Sequence, residues 1–151
     1  MITRSQWKLE LAKKLGATHT ICAKKEDLIG AVRDLTVGLG VDVAIEAVGT
    51  PQTVEPAIDL VRPTGWVIVF GFPAEGKGAS SEPFEVLSKE LSILGAWVNF
   101  YILSRALDGL ASGEIDVRPL VLVRTRLTQV LKGSDLMVEK PAGFMKALVV
   151  P

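Results

Sequence analysis

Residues 41–51 read VDVAIEAVGTP and contain the clearest pattern of secondary structure in the chain. Apolar residues at positions 41, 43 and 45 alternate with Asp, Ala and Glu, and a period of two is typical of a β-strand. Gly49 then marks a turn, Thr50 is a good helix N-cap, and Pro51 suits the first position of a helix. The stretch therefore predicts a strand, a glycine turn and a helix in immediate succession.

Helices and strands alternate outward from this stretch in both directions. Toward the N-terminus the pattern predicts a helix between Ser5 and Gly16, a strand from Thr18 to Cys22 and a helix from Lys24 to Val37. Toward the C-terminus it predicts a helix with its apolar stripe at Val54, Ile58 and Val61, a turn at Pro63–Gly65 and a buried strand from Trp66 to Phe70. Alternating elements of this kind predict an α/β fold with a parallel, doubly wound sheet.

The second half of the chain continues with shorter elements. A loop rich in glycine, serine and proline covers residues 71–83, and a short mixed segment follows at 84–90. The pattern then predicts strands at 92–98, 117–123 and 145–150, and helices at 103–113 and 127–138. Pro119 lacks a backbone N–H, so it favours an edge position for the strand at 117–123.

Composition excludes several classes of protein. The 151 residues carry 17 basic and 17 acidic side chains, so the net charge is zero and a nucleic-acid partner is not expected. The longest apolar runs are far shorter than the roughly 20 residues of a membrane helix, and the N-terminus lacks an apolar signal region. We therefore expect no membrane partner and a cytoplasmic location. A single Cys and a single His leave no internal disulfide and little for metal chemistry.

Two predicted strand ends carry glycines that suit a ligand. They are Val48-Gly49-Thr50 and Phe70-Gly71-Phe72. Ligands of doubly wound sheets bind at the carboxyl ends of the strands, where glycine lets a nucleotide approach the backbone. The start of the helix at Thr50-Pro51 could also favour an anion. Glycines that merely end strands are the alternative interpretation.

Other motifs are weaker. Residues 71–78 nearly match the phosphate-binding pattern G-x-x-x-x-G-K-[ST], but Gly78 replaces the hydroxyl residue, which favours an ordinary loop. His19 and Cys22 are expected to face opposite sides of a strand and to be structural. Asp42 is expected to be solvated or to cap, whereas Glu46, beside the glycine turn, is a weak site candidate.

Four stretches together resemble one family. They are residues 9–18 (LELAKKLGAT), 40–49 (GVDVAIEAVG), 66–73 (WVIVFGFP) and 111–120 (ASGEIDVRPL). In this order and spacing they resemble the C-terminal portion of zinc-dependent medium-chain dehydrogenases of the alcohol, sorbitol and threonine dehydrogenase type. The resemblance runs from Ser5 to Pro151.

The resemblance implies a partial Rossmann-like doubly wound parallel sheet that lacks the first strands, with a short C-terminal return segment. Residues 1–115 would form the partial NAD(P)-binding domain, and residues 116–151 would return to the catalytic domain. The family's zinc ligands and its G-x-G-x-x-G turn are not matched, and Gly38-Leu39-Gly40 is a different turn. We therefore expect no zinc in this chain and no turnover by it alone.

The resemblance also implies where NAD or NADP would be bound. Val48 and Gly49 would lie near the adenosine and ribose, and Phe70, Gly71 and Phe72 beside the nicotinamide. Ala96, Trp97 and Val98 match the next nicotinamide-side strand, and Lys146 falls where relatives place a basic residue near the pyrophosphate. Thr3 and Arg4 fall at the position that binds the ribose hydroxyls, where they favour the 2′-phosphate of NADP.

The lack of the first strands has a physical consequence. It would leave residues 18–22 and 41–47 with unpaired edges and exposed apolar faces, consistent with the 48% hydrophobic content. We expect these strands to pair directly, to exchange elements in an oligomer, or to need the other part of the enzyme. A homo-oligomer would form through the 92–98 strand or the exposed sheet edges. The alternative to a dehydrogenase fragment is a non-catalytic binding or oligomerisation module derived from one.

Overall fold

A computed structural model describes residues 1–97, 101–141 and 143–151. The chain divides into two compact units, Met1–Asn99 and Phe100–Pro151. The first unit contains, in chain order, β1 (Ile2–Thr3), α1 (Gln6–Lys14), β2 (Ile21–Cys22), α2 (Leu28–Leu35), β3 (Val41–Glu46), α3 (Pro51–Leu60), β4 (Val61–Val69), α4 (Pro83–Ser88) and β5 (Ser92–Gly95). The second contains α5 (Leu103–Ala111), β6 (Val121–Arg126), α6 (Val130–Glu139) and β7 (Lys146–Val150). The functional division at residue 115 stays a prediction.

All described strand pairs are parallel. The first unit holds a three-stranded sheet in the order β3-β4-β5 and a two-stranded sheet of β1 and β2, and the second unit holds the β6–β7 pair. Parallel neighbours require crossover connections, and α3 supplies the one between β3 and β4. The α/β class and the parallel strands predicted from the sequence are therefore confirmed.

One face of the three-stranded sheet forms the core of the first unit. Ala57 and Ile58 of α3 pack with Val61 and with Val67, which has no exposed surface. Ala44 of β3 is partly buried against the same cluster. Helix α2 adds Val32, which packs with Ile21 of β2 and Leu60.

The opposite face of the sheet is open. Side chains paired in register share a face, which places Val43 beside Trp66 and Ile45 beside Ile68. Val43 is 46% exposed, Ile45 65% and Trp66 50%. The sheet of a doubly wound fold is normally covered on both faces. The exposed apolar face expected for residues 41–47 is therefore found, and we call it the open face, whereas the one expected for residues 18–22 is wrong at Ile21 and Cys22, which are buried.

The strand edges differ from the expectation in one respect. Strand β2 pairs with the unpredicted strand β1, with Ile2 opposite Ile21 and Thr3 opposite Cys22. Strand β3 pairs with β4, and across the ranges that the structure describes it has no partner on its other edge. The direct pairing of residues 18–22 with 41–47, one of the three expected outcomes, is not found in these ranges.

Several element boundaries also differ. Helix α2 begins at Leu28 rather than Lys24, because the carboxylate of Asp27 accepts a hydrogen bond from the Ile29 amide and caps the helix there. Pro119 lies in a 3-10 turn, Arg118–Leu120, which delays β6 to Val121. The expected turn at Pro63–Gly65 lies within β4 as an irregularity of pairing, and the short mixed segment forms α4.

The second unit has its own close packing. Helix α6 lies against β6 at Gly133, where a Cβ would come within 3.2 Å of the Thr125 hydroxyl oxygen. Both residues are buried. The sequence predicted the helix and the last strand within a few residues of their bounds, Val130–Glu139 and Lys146–Val150.

Candidate functional site at the carboxyl ends of the sheet

Most of the sequence-predicted site residues meet at one place, the carboxyl ends of β3, β4 and β5. Val48 and Gly49 follow β3, residues Phe70–Phe72 follow β4, and Ala96 and Trp97 follow β5. The Ala96 amide donates to the Val69 carbonyl at 2.9 Å, which extends the β4–β5 pairing into this end. These are the positions at which doubly wound sheets bind ligands.

The remaining predicted residues do not belong to these three strand ends as the structure describes them. Thr3 is the last residue of β1 and Arg4 follows it, so both belong to the separate two-stranded sheet. Lys146 is the first residue of β7, in the second unit. Val98 falls outside the described residues. The structure therefore brings together the nicotinamide-side residues of the prediction, other than Val98.

The two glycine turns approach each other closely. A Cβ on Gly71 would lie 2.5 Å from the Val48 nitrogen and would also overlap the Gly49 nitrogen. A Cβ on Gly49, which has a φ of +83°, would lie 2.5 Å from the Phe72 carbonyl carbon. No real Cβ contact is this short, so both glycines are required by the contact between the turns. The sequence pattern predicted that these glycines allow a ligand to approach, but it does not reveal their contact with each other.

Glu46 ends β3 beneath these turns and is only 4% exposed. Its Oε1 accepts hydrogen bonds from the Val48 amide at 2.7 Å, the Gly49 amide at 2.8 Å and the Thr53 hydroxyl at 2.8 Å. Burial by itself raises the pKa of this carboxyl, but the donors, with the Gly71 amide acting in the same direction, favour the charged form. Together they hold the pKa of Glu46 below its ordinary value, so the side chain is an anion at neutral pH.

The first turn of helix α3 is linked to Glu46 through a side chain. The hydroxyls of Thr50 and Thr53 lie 2.9 Å apart, and the Thr53 hydroxyl donates a hydrogen bond to the Glu46 carboxylate. A carboxylate at the start of a helix is stabilised by the free amides there and by the helix dipole. The sequence suggested an external anion at Thr50-Pro51, and this stays a prediction, because Glu46 accepts from the Val48 and Gly49 amides and the Thr53 hydroxyl rather than from an amide of the helix. Thr50 was predicted as the N-cap, but its contact with Thr53 was missed, although Thr-Pro-x-Thr after a strand-ending Glu is a readable signal.

Aromatic side chains stand on the exposed side of the site. The ring centroids of Phe72 and Trp97 are 5.1 Å apart with a tilt of 38°. Phe72 is 71% exposed, Trp97 67% and Phe70 64%. An exposed aromatic pair beside backbone turns is a surface onto which a flat ring can pack.

The described residues do not fit a zinc site. Over the described ranges there is no group of three or more His, Cys, Asp or Glu side chains that could hold a metal ion. Cys22 is buried in β2, whereas His19 is exposed and lies before the strand rather than in it. Residues 71–78 do not lead directly into a helix, since α4 begins only at Pro83, so the phosphate-binding loop disfavoured by the sequence is also disfavoured by the structure. None of the helices in the described ranges is long and apolar enough to span a bilayer.

Parallel strands joined by helices, with glycine turns at the strand ends, define the class of Rossmann-like α/β proteins. The family model for zinc-binding dehydrogenases matches residues 1–112, and the chain belongs to this family. It is 30% identical over 144 residues to a sorbitol dehydrogenase from Bacillus subtilis, covering 95% of this chain and 40% of the relative. It is 34% identical over 123 residues to an L-threonine 3-dehydrogenase from Pyrococcus furiosus, covering 78% of this chain and 34% of that protein.

Solved structures agree with these sequence relatives. A protein of Sinorhizobium meliloti 1021 described as a zinc-binding dehydrogenase bound to NADP matches with a TM-score of 0.86 and 32% identity, over 99% of this chain and 44% of that one. An alcohol dehydrogenase from Thermus sp. ATN1 matches with a TM-score of 0.86 and 29% identity, over 99% and 42%. The chain thus spans about two fifths of the length of such relatives.

Proposed function

We propose that this chain binds the nicotinamide end of NAD or NADP and is the cofactor-binding part of a zinc-type alcohol or polyol dehydrogenase. The observation that carries the proposal is the convergence of Val48–Gly49, Phe70–Phe72 and Ala96–Trp97 at one end of a parallel sheet. The likeness to a structure that holds NADP supports it.

The residues at this end suit the nicotinamide half of the cofactor. Phe70, Phe72 and Trp97 offer exposed apolar and aromatic surface to a flat ring. The Gly71 and Ala96 backbones border this surface, and the Val48–Gly49 turn would face the ribose. The assignment of Lys146 to the pyrophosphate, and of Thr3 and Arg4 to a 2′-phosphate, rests on the family resemblance alone.

The chain's share of the chemistry is binding and orientation. In such enzymes the cofactor supplies hydride transfer, and a metal polarises the alcohol or carbonyl oxygen of the substrate. The described residues hold no group that fits that metal. We therefore expect no turnover of simple alcohols by the 151-residue chain, and a rate measured with added zinc and cofactor would contradict this expectation.

A second candidate function, self-association, is favoured by the open face and the free edge of β3. This face includes a continuous apolar strip that is exposed to solvent in the single chain and is formed by Val43, Ile45 and Trp66. A homo-oligomer formed through these edges, or through the strand that includes β5, would bury it. This candidate corresponds to a non-catalytic module that retains the family fold.

One titration separates the two candidates. We expect NADPH fluorescence to change on addition of the full chain and to saturate at one site per chain, with NADH run in parallel to compare the two cofactors. Light scattering on the same samples reports the mass of the particle. Absence of binding at millimolar cofactor, together with an oligomer, would overturn the cofactor proposal and support the second candidate.

A further inference from the structure

Glu46 is the one described residue that holds both glycine turns through hydrogen bonds. Its backbone carbonyl accepts from the Phe70 and Gly71 amides, both at 2.8 Å. Its carboxylate Oε1 accepts from the Val48 and Gly49 amides at 2.7 and 2.8 Å. The turn after β3 is therefore held by the side chain, and the turn after β4 by the main chain of the same residue.

The second oxygen of this carboxylate is unusual. Oε2 is buried and has no hydrogen-bond partner within the described ranges. A buried charged oxygen without a donor is costly, and native structures contain few of them. The three donors on Oε1 offset that cost, but an uncharged residue at this position would avoid it. The charge at this position is therefore stabilised by the donors on Oε1, which are the two turn amides and the Thr53 hydroxyl.

We propose that Glu46 is the positioning residue of the cofactor site, whose charged carboxylate fixes the Val48–Gly49 turn against the Phe70–Phe72 turn. The inference rests on the proposed function and deepens it. Because the contact between Gly71 and the Val48–Gly49 backbone leaves no room for a Cβ, a shift of either turn moves the other. Glu46 thereby sets the surface on which the nicotinamide packs, without touching the cofactor itself.

Glu46→Gln tests the need for the charge. Three donors converge on Oε1, and a neutral amide oxygen accepts them more weakly than a carboxylate does. We expect the Kd for NADPH to rise about tenfold, the loss typical of one hydrogen bond to a charged group.

Glu26→Gln is the matched control. Glu26 comes shortly after strand β2, much as Glu46 is the last residue of β3. Its Oε1 also accepts a hydrogen bond from a backbone amide, that of Cys22, at 2.7 Å. The same chemical change there leaves both glycine turns untouched, so we expect the Kd for NADPH to stay within about twofold of the wild-type value. Equal Kd values in wild type and Glu46→Gln would overturn the positioning role while leaving the proposed function intact.

Amide hydrogen exchange gives a readout that needs no cofactor. We expect Glu46→Gln to speed exchange at Val48 and Gly49 and also at Phe70, although the Phe70 amide donates to the unchanged main-chain carbonyl. Faster exchange at Val48 and Gly49 alone would overturn the coupling between the turns. Failure of the wild-type chain to bind NADPH would overturn the proposed function, and the exchange data would still decide the coupling.

A second pair of variants covers the case in which Glu46→Gln does not fold. Thr53→Val removes the hydroxyl donor to Oε1 and keeps the side-chain shape, whereas Thr53→Ser keeps the hydroxyl. We expect Thr53→Val to weaken NADPH binding and speed exchange at both turns, and Thr53→Ser to restore both properties. Identical behaviour of the two variants would contradict the role of the carboxylate network.

Discussion

At the scale of single residues, the site depends on two glycines, whose lack of a Cβ atom lets two turns come into contact. Gly49 and Gly71 lie where the turns after β3 and β4 touch, and a Cβ on either would overlap the backbone of the other turn. Backbone contact of this kind cannot relax by a rotamer change, because the overlapping atoms are main-chain atoms. The geometry of the candidate site is therefore fixed by glycine before any ligand binds.

Gly71→Ala tests this contact directly. We expect the variant to lower the free energy of unfolding by about 1–3 kcal/mol, as overpacking of a closed contact does. Gly78→Ala is the control, because it lies in the same loop and a Cβ there meets nothing within 4 Å. We expect this change to stay within about 0.5 kcal/mol. Urea denaturation measures both, and equal stability of the two variants would show that the turns do not touch.

The sequence predicted the glycines and only weakly pointed to Glu46. Its alternation placed Glu46 on the same face as Asp42, and Asp42 is indeed exposed, in an ion pair with Arg62. Glu46 lies on that same face but is buried, because the turn after β3 folds back over the end of the strand. The Val48 and Gly49 amides of this turn need an acceptor, and the Glu46 carboxylate provides it. The path of the chain in this turn depends on tertiary contacts, which the hydrophobic periodicity of the sequence does not reveal.

At the scale of elements, helix α3 covers one face of β3, whereas the other face is exposed in the ranges that the structure describes. Ala44 packs under α3, whereas Ile45 is largely exposed on the open face. The sequence predicted the strand correctly within residues 41–47, because alternation is local. It could not predict which face α3 covers, since that depends on the crossover connection.

Two isoleucines test the open face. Ile58 of α3 is 4% exposed and Ile45 of β3 is 65% exposed. We expect Ile58→Ala to lower the free energy of unfolding by about 2–5 kcal/mol, because a buried side chain leaves a cavity. We expect Ile45→Ala to cost less than about 1 kcal/mol, mostly through strand propensity. Denaturation at low protein concentration measures both, and a comparable loss for Ile45→Ala would show that the face is covered in solution.

Boundaries were predicted less well than elements, for local physical reasons. Helix α2 begins late because Asp27 caps it, and β6 begins late because Pro119 lies in a 3-10 turn. Both features use side chains that the sequence shows plainly, but their effect depends on competition between neighbouring turns. The pairing of β1 with β2 was missed because two residues carry no period.

At the scale of the whole molecule, the chain belongs to the zinc-binding dehydrogenase family and spans about two fifths of its relatives' length. The resemblance visible in four sequence stretches predicted both the family and the parallel α/β fold. In the ranges that the structure describes, the sheet has one open face, and β3 has no partner on its second edge. The position of the cofactor is the part of the account that needs direct measurement.

Amide chemical shifts of the full chain, followed during a titration with NADPH, would locate the bound cofactor. We expect shift changes that saturate with cofactor and cluster at residues 48–49, 70–72 and 96–97, the carboxyl ends of β3, β4 and β5. Residues 38–40, at the opposite end of the sheet, serve as the internal control and should not shift. Shifts that cluster at residues 38–40, or none at millimolar NADPH, would contradict the account.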